Sequence, residues 1–390
     1  MKVSSKQIFN FFWLIVLIVF FSFALIFRSN ASISGIKIGL EFCSEILIPS
    51  VFPFLVLSSF VVKSGFSFKI RKILEPFTRL FFNLPGTCGA TIFIGLFGGY
   101  PTGARGIKAL LDKREINEDQ ARKMIYFVVG AGPAFVISVV GTSLLKSFQA
   151  GITLFICQFL ASLIIGILIN LKKEEKKYKN INTKIREFPE NIAISKAFVD
   201  SCTDATHAMI NMCSLVVIFC SIFLILKTTY INSVIYTLIR NFGASETISE
   251  SFLPAILEVT NGCKTACCLG VPYIFLAFII GFSGLCVHFQ IFSSVSDIAF
   301  SKIKFIFFRI LHGFFSAILT EIAFSIWPAS VEASLNIVHN NQTFNTYWVT
   351  SSSLSLIFLS ACFLLTLSPK IIEIRDKNKN KCTKKELEKL

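Results

Sequence analysis

Apolar runs of about 20 residues recur along this chain, and nothing else in it constrains the fold as strongly. As a helix, such a run crosses a hydrocarbon core of ~30 Å. Backbone in lipid must satisfy its own hydrogen bonds, so the runs read as α-helices. The candidate spans are residues 8–27, 46–62, 124–146, 149–171, 205–227, 272–293, 303–326 and 347–368. The expectation is an all-α polytopic membrane protein with about eight transmembrane helices. Only 16% of the residues are charged, against roughly 25% in soluble proteins. That excludes a surface facing water on all sides.

Run 8–27 follows Lys2 and Lys6. It is longer than the apolar region of a signal peptide, and Arg28 and Asn30 stand where a small-residue cleavage site would lie. It reads as a retained first span. A net charge of +15 would suggest nucleic acid in a soluble protein. Here the Lys and Arg lie in loops between apolar runs, so the positive-inside rule accounts for them and no nucleic-acid partner is expected. The twelve Cys sit mostly in apolar segments, among them Cys157, Cys213, Cys220, Cys286 and Cys362. There they act as small hydrophobes. With four scattered His and no CxxC pair, neither a metal site nor a disulfide framework is expected.

Two more apolar stretches, 86–104 and 252–270, are interrupted midway. They contain the runs Gly98-Gly99-Tyr100-Pro101-Thr102-Gly103 and Glu258-Val259-Thr260-Asn261-Gly262. The loops 63–83 and 105–123 flanking the first carry five and six basic residues. If both are cytoplasmic, the stretch between them enters and leaves on one side, as a re-entrant hairpin. The N-terminus, those two loops, 172–196, 302–309 and the tail from Lys370 together carry 32 of the 38 Lys and Arg. Loop 327–346 carries none and is placed outside. Both termini are then cytoplasmic. Under this threading residues 46–171 and 205–326 have the same order of span, hairpin, span, span in opposite orientation. Such an inverted repeat, broken at matching positions, points to a transporter with a site at mid-membrane. The opposing reading makes the hairpins short full spans and the symmetry accidental.

The expected organisation follows: a first transmembrane helix in 1–34, a gate-like repeat in 35–171, a charged cytoplasmic linker in 172–196, the inverted repeat in 197–326, an external loop and last helix in 327–369, and a basic tail in 370–390. Segment 66–84 reads as an interfacial amphipathic helix.

Irregular backbone at membrane depth must be buried in protein or line a wet cavity. The two breaks are therefore the candidate sites. Gly99, Pro101 and Gly103 prevent a continuous helix, and the residues after the break begin a new one. A helix N-terminus offers free N–H donors and the positive end of a dipole to an anion. Arg105, one turn beyond Pro101, would grip a carboxylate, or else anchor the hairpin's cytoplasmic end. Tyr100 and Thr102 complete this site. In the second break Glu258 would carry a coupling proton or coordinate a cation, with Thr260, Asn261 and Gly262 beside substrate; the bland reading is a satisfied structural cluster. Ser283, His288 and Gln290 lie near the inner end of an apolar span, where His288 would titrate near neutrality or simply bond a neighbour. Pro49, Pro53 and Gly132-Pro133 would kink their helices, and Pro133 with Pro101 and Glu258 would serve gating. The pairs Glu41/Glu45 and Asp200/Asp204, with His207, read as polar helix extensions in preference to a metal site. No HExxH, GxSxG, P-loop or GxGxxG motif is present, so no enzyme is expected.

LIPSVFPF (47–54), GGYPTGAR (98–105), GAGPAFVISVVG (130–141), LEVTNG (257–262) and GFSGLCVHFQ (281–290) follow in order. In this the chain resembles the YlbJ-type sporulation integral membrane proteins, also called stage V sporulation protein V, over residues 35 to 325. The resemblance implies two nucleoside-recognition or gate domains and a role in endospore formation. It also implies transport of dipicolinic acid across the outer forespore membrane, from mother cell toward forespore. A flat ring with two carboxylates would suit helix N-termini, an Arg and an aromatic wall such as Tyr100. The resemblance extends to Gly99, Tyr100, Pro101, Gly103, Ala104, Glu258, Thr260, Gly262, Gly284, His288 and Gln290. It departs at Ser283, where glycine is expected. Expected partners are a small-molecule substrate and the lipid bilayer, with a homo-oligomer compatible. No cofactor is expected, and the sequence does not choose between H+ and Na+ as coupling ion. The alternatives are a carrier of nucleosides or other small metabolites, and a non-transporting scaffold for spore-envelope assembly.

Overall fold

The computed structural model describes residues 25–64, 66–170 and 193–327, with a few isolated positions before them. The expected spans 8–27 and 347–368, the linker, the external loop and the tail lie largely or wholly outside these residues. Every regular element among the described residues is helical. Five helices are long and apolar enough to cross a membrane: 29–57, 148–170, 194–227, 273–294 and 302–326. These correspond to five of the eight expected spans.

The first half opens with α1 (Ser29–Phe42), which passes through a π-helical stretch, π1 (Cys43–Leu47), into α2 (Ile48–Lys63). The π turns immediately precede Pro49. A proline ring displaces the carbonyl four residues back, and the wider turn accommodates it. α3 (Phe66–Phe82) is the expected amphipathic helix, bent by 85° against α4 (Thr87–Phe97). After Gly98-Gly99 the chain turns back as α5 (Tyr100–Asp112), then α6 (Glu118–Ile125). A non-helical segment leads to π2 (Ala134–Leu144), and α7 (Phe148–Asn170) closes the half.

The second half spans residues 193–327. Long α8 (Ile194–Lys227) is followed by a short helix α9 (Tyr230–Asn241), which the sequence reading did not separate. The pair α10 (Glu246–Leu257) and α11 (Val259–Cys268) turns at Glu258. α12 (Tyr273–Phe282) breaks at Ser283 into α13 (Gly284–Ser294), and α14 (Lys302–Ile326) closes.

One expectation is corrected. Residues 124–146 do not form a kinked span. They are split between the end of α6, an irregular stretch and the eleven-residue π2. Gly130, Gly132 and Pro133 interrupt the helical pattern, and the Val129 carbonyl is met by Arg309 of α14.

The long opening helices run antiparallel. Ser32 and Ser221 share a hydroxyl–hydroxyl bond of 2.9 Å at one end, and Lys63 pairs with Asp204 at 2.7 Å at the other. Between them a Cβ on Gly35 would lie 2.6 Å from the Cα of Ser221, so only glycine permits this spacing. Small residues at the contact are the usual device where lipid is as apolar as the side chains. The hairpins pack similarly. A Cβ on Gly95 would lie 2.9 Å from the Cα of Gly103, and one on Gly262 2.5 Å from that of Ala255.

Candidate functional site

The two hairpin tips meet at one cavity of about 620 Å³, counting the part open to its surroundings. Phe97, Gly98, Gly99, Tyr100 and Pro101 line it from the first tip, and Glu258, Val259 and Thr260 from the second. The opening helices contribute Leu47, Val51, Phe54 and Leu55 on one side and Met212 and Val216 on the other. The broken elements add Gly132, Ala134 and Phe135 opposite Val287 and Gln290. The lining is thus drawn from both halves of the chain. The lining is apolar and aromatic with a few polar groups, the usual make-up of a small-molecule pocket.

Its polar groups are Tyr100, Glu258, Thr260 and Gln290, and no lining residue is basic. Gly99 sits at φ +87°, a conformation natural to glycine, and no side chain caps the N-terminus of α5 that follows. The second tip differs. Glu258 is extended, 2% exposed, and its carboxylate accepts from the backbone N–H of Thr260 (2.9 Å) and Asn261 (2.6 Å). It caps α11, so one helix N-terminus at the cavity is already met by a carboxyl group, while the other has no side-chain cap.

The other sequence candidates are dispersed. The Thr102 hydroxyl donates to the Gly98 carbonyl at 2.8 Å, closing the first tip. Gly103 and Gly262 are packing contacts inside the hairpins, and Asn261 contributes its N–H to the Glu258 cap. Pro133 starts π2 beside the lining without joining it. Arg105 is exposed and outside the cavity lining, contrary to the expectation that it grips substrate there. His288 is 1% exposed. Its Nε2 meets the Phe282 carbonyl at 2.9 Å among the rings of Phe282, Phe292 and Phe305, away from the lining.

The sequence reading missed the buried arginine. Arg309 was counted with loop 302–309, yet it lies inside α14 with 0% exposure. Its guanidinium donates to the Val129 carbonyl (2.5 Å), to the Gly281 carbonyl and to the Ser283 hydroxyl (2.8 Å), and it meets Nδ1 of His312 (3.1 Å). His312 continues to Ser162 and the Gln158 carbonyl, each 3.0 Å from Nε2. The Gln158 side chain bonds the Ala277 carbonyl and Ser316. Val129 belongs to the irregular stretch of the first half, and Gly281 and Ser283 to the break of the second. Arg309 therefore pins both breaks. An Arg and a His at i, i+3 in an apolar run was the available signal.

Ser283 has φ +78°, the left-handed region where a glycine sits without strain. This gives a physical reason for the glycine expected there. The Arg309 bond, and contacts of its own hydroxyl with the Ile280 and Gly281 carbonyls, hold the serine in place. Gly284 follows at φ +71°, and a Cβ on it would lie 3.0 Å from the Val259 nitrogen. The second break thus touches the second tip directly. Among the described residues no group of three or more His, Cys, Asp or Glu is placed to hold a metal ion.

The length and apolarity of its helices define an α-helical integral membrane protein, with a cavity lined from both halves of the described chain. The chain is similar to the sporulation integral membrane protein YlbJ of Bacillus subtilis (strain 168), with 24% identity over 340 residues, covering 81% of this chain and 82% of that protein. The resemblance read from the motifs is borne out. No sequence-family model matches the chain, and no solved structure matches it.

Proposed function

We propose that this protein is a secondary transporter, not an enzyme, and that it moves a small organic acid through the cavity between the hairpin tips. The observation that carries the reading is the convergence of both broken tips, both opening helices and both broken elements on one cavity. Shared element order and the antiparallel pairing of α1–α2 with α8 support two inverted halves, with the hairpins re-entrant. Rocking of one half against the other would then expose the cavity to either side. Similarity to a sporulation membrane protein supports dipicolinate as substrate and the outer forespore membrane as location, with movement from mother cell toward forespore. The open N-terminus of α5 would receive one carboxylate, and Tyr100 and the phenylalanines would flank the ring. Glu258 is the coupling group. A proton or Na+ arriving there removes the charge that would repel the substrate.

The second reading is a carrier of nucleosides or other neutral metabolites. What favours it is the lining itself, which holds a carboxylate and no basic side chain.

Uptake into proteoliposomes tests both. The expected result is dipicolinate flux in the wild type, driven by an imposed H+ or Na+ gradient and lost in Glu258→Gln. Nucleoside flux without dipicolinate flux would favour the second reading. No flux of either, or dipicolinate flux unaltered in Glu258→Gln, overturns the mechanism.

A further inference from the structure

We infer that Arg309, which does not line the cavity, is the residue that makes it prefer anions; this rests on the reading of the cavity as the substrate site. The guanidinium is fully buried, and among the described residues no carboxylate lies within 4 Å of it. Its bonded partners are all neutral: two backbone carbonyls, a hydroxyl and an imidazole. Among the described residues its Nε has no hydrogen-bond partner. The positive charge is therefore solvated by dipoles and cancelled by nothing adjacent. An uncancelled charge in a low-dielectric interior acts at much longer range than one in water.

The cavity lies within that range. Tyr100 lines it and donates its hydroxyl to the Ile280 carbonyl at 2.9 Å. The next carbonyl, Gly281, accepts from Arg309. One tyrosine and one peptide separate the guanidinium from the cavity space. On the same side, Gly284 packs on the backbone of Glu258 and Val259. Glu258 opposes the field of Arg309 while ionised. Once a coupling ion neutralises Glu258, the positive charge acts unopposed on whatever occupies the cavity. A dianion is then drawn to a site whose own lining carries no cation. A basic side chain in the wall would hold a dicarboxylate in a tight pair and slow its release; a charge behind the wall attracts without that contact.

The test compares dipicolinate with its neutral analogue pyridine-2,6-dicarboxamide, by equilibrium binding to the full chain in nanodiscs and by flux in proteoliposomes. Arg309→Gln removes the charge. Ser283→Asp leaves the guanidinium in place and sets a carboxylate against it, and Asp tolerates the left-handed conformation of this position. Arg309→Lys keeps the charge while losing the fork that pins the two breaks. The expected result is dipicolinate affinity about tenfold weaker in Arg309→Gln and Ser283→Asp, as fits one charge across a protein interior, with diamide affinity unchanged and the preference retained in Arg309→Lys. If Arg309→Gln does not fold, Ser283→Asp decides. Unchanged dipicolinate affinity in the variants overturns the inference while the transport reading stands. Charge-dependent binding without flux overturns the transport reading and supports the role of Arg309. A wild type that does not prefer the dianion overturns the inference directly.

Discussion

The hydroxyl of Tyr100 donates to the backbone carbonyl of Ile280 at 2.9 Å, joining residues 180 positions apart. It ties the first hairpin tip to the break between α12 and α13. Both groups are buried, so Tyr100→Phe leaves the Ile280 carbonyl without this donor. The expected loss is about 1 kcal/mol of stability, read as a lower thermal midpoint in detergent. The freed tip should also raise the labelling rate of a cysteine placed at Thr102. An unchanged midpoint and rate would show that the tip is held by packing alone.

At Ser283 two effects oppose each other. The left-handed backbone disfavours any residue but glycine by roughly 1 kcal/mol, while the bond from Arg309, a charged donor, stabilises by about 1.5–3 kcal/mol. Ser283→Ala keeps the strain and loses the bond. Ser283→Gly loses the bond and relieves the strain. Both variants should be less stable than wild type, with the glycine variant above the alanine variant by about 1 kcal/mol. If alanine equals or exceeds glycine in thermal denaturation, the assigned backbone conformation is wrong.

Capping and coupling by Glu258 separate by substitution. Glu258→Ala strands the N–H groups of Thr260 and Asn261 and should cost about 1–2 kcal/mol. Glu258→Gln keeps an oxygen for one of them and should lose less than half of that. If the carboxylate couples transport, the glutamine variant is nearly as stable as wild type yet loses gradient-driven uptake. Parallel loss of stability and uptake in both variants would reduce Glu258 to a cap.

The sequence revealed some of this and hid the rest for physical reasons. Span length follows from local apolarity, so 149–171, 205–227 and 303–326 match observed helices to within a few residues, apart from an N-terminal extension of α8 to Ile194. Gly98-Gly99 and Glu258 were readable as breaks because glycine pairs and a carboxylate are out of place in an apolar helix. The kink at Gly132-Pro133 was readable too, but not that the helix already stops at Ile125, since Phe127, Val128 and Val129 are as apolar as a span; there Val128 packs on Gly95 and Gly103, and the Val129 carbonyl accepts from Arg309. Arg105 and Arg309 are the same residue at the margins of apolar runs, and a count of basic residues places both in loops. Only the neighbours of α14 reveal that one points into the protein. That Ser283 is left-handed could be suspected from the resemblance but not from its residue type.

The Lys108–Asp297 ion pair joins α5, the outgoing arm of the first hairpin, to the loop after α13 in the second half. The bond to Lys108 holds the Asp297 carboxyl below its ordinary range, and the same bond raises Lys108. For a depressed carboxyl, stabilisation is present above its unfolded pKa and is lost as pH falls through the lower folded value. For the raised lysine it is lost only above the ordinary lysine range. Between those limits the latch is closed, including at neutral pH. The pair is solvent-exposed and screened by salt, so its effect belongs to hairpin position more than to global stability. Because the thiolate is the reactive form, the comparison is made at one pH: at pH 7 a cysteine-reactive probe at Arg105→Cys should label faster in high salt than in low salt. Asp297→Asn should label at the fast rate at neutral pH, and the exchange Lys108→Asp with Asp297→Lys should restore the slow rate. A slow rate in Asp297→Asn at neutral pH would mean that the hairpin is held without this pair.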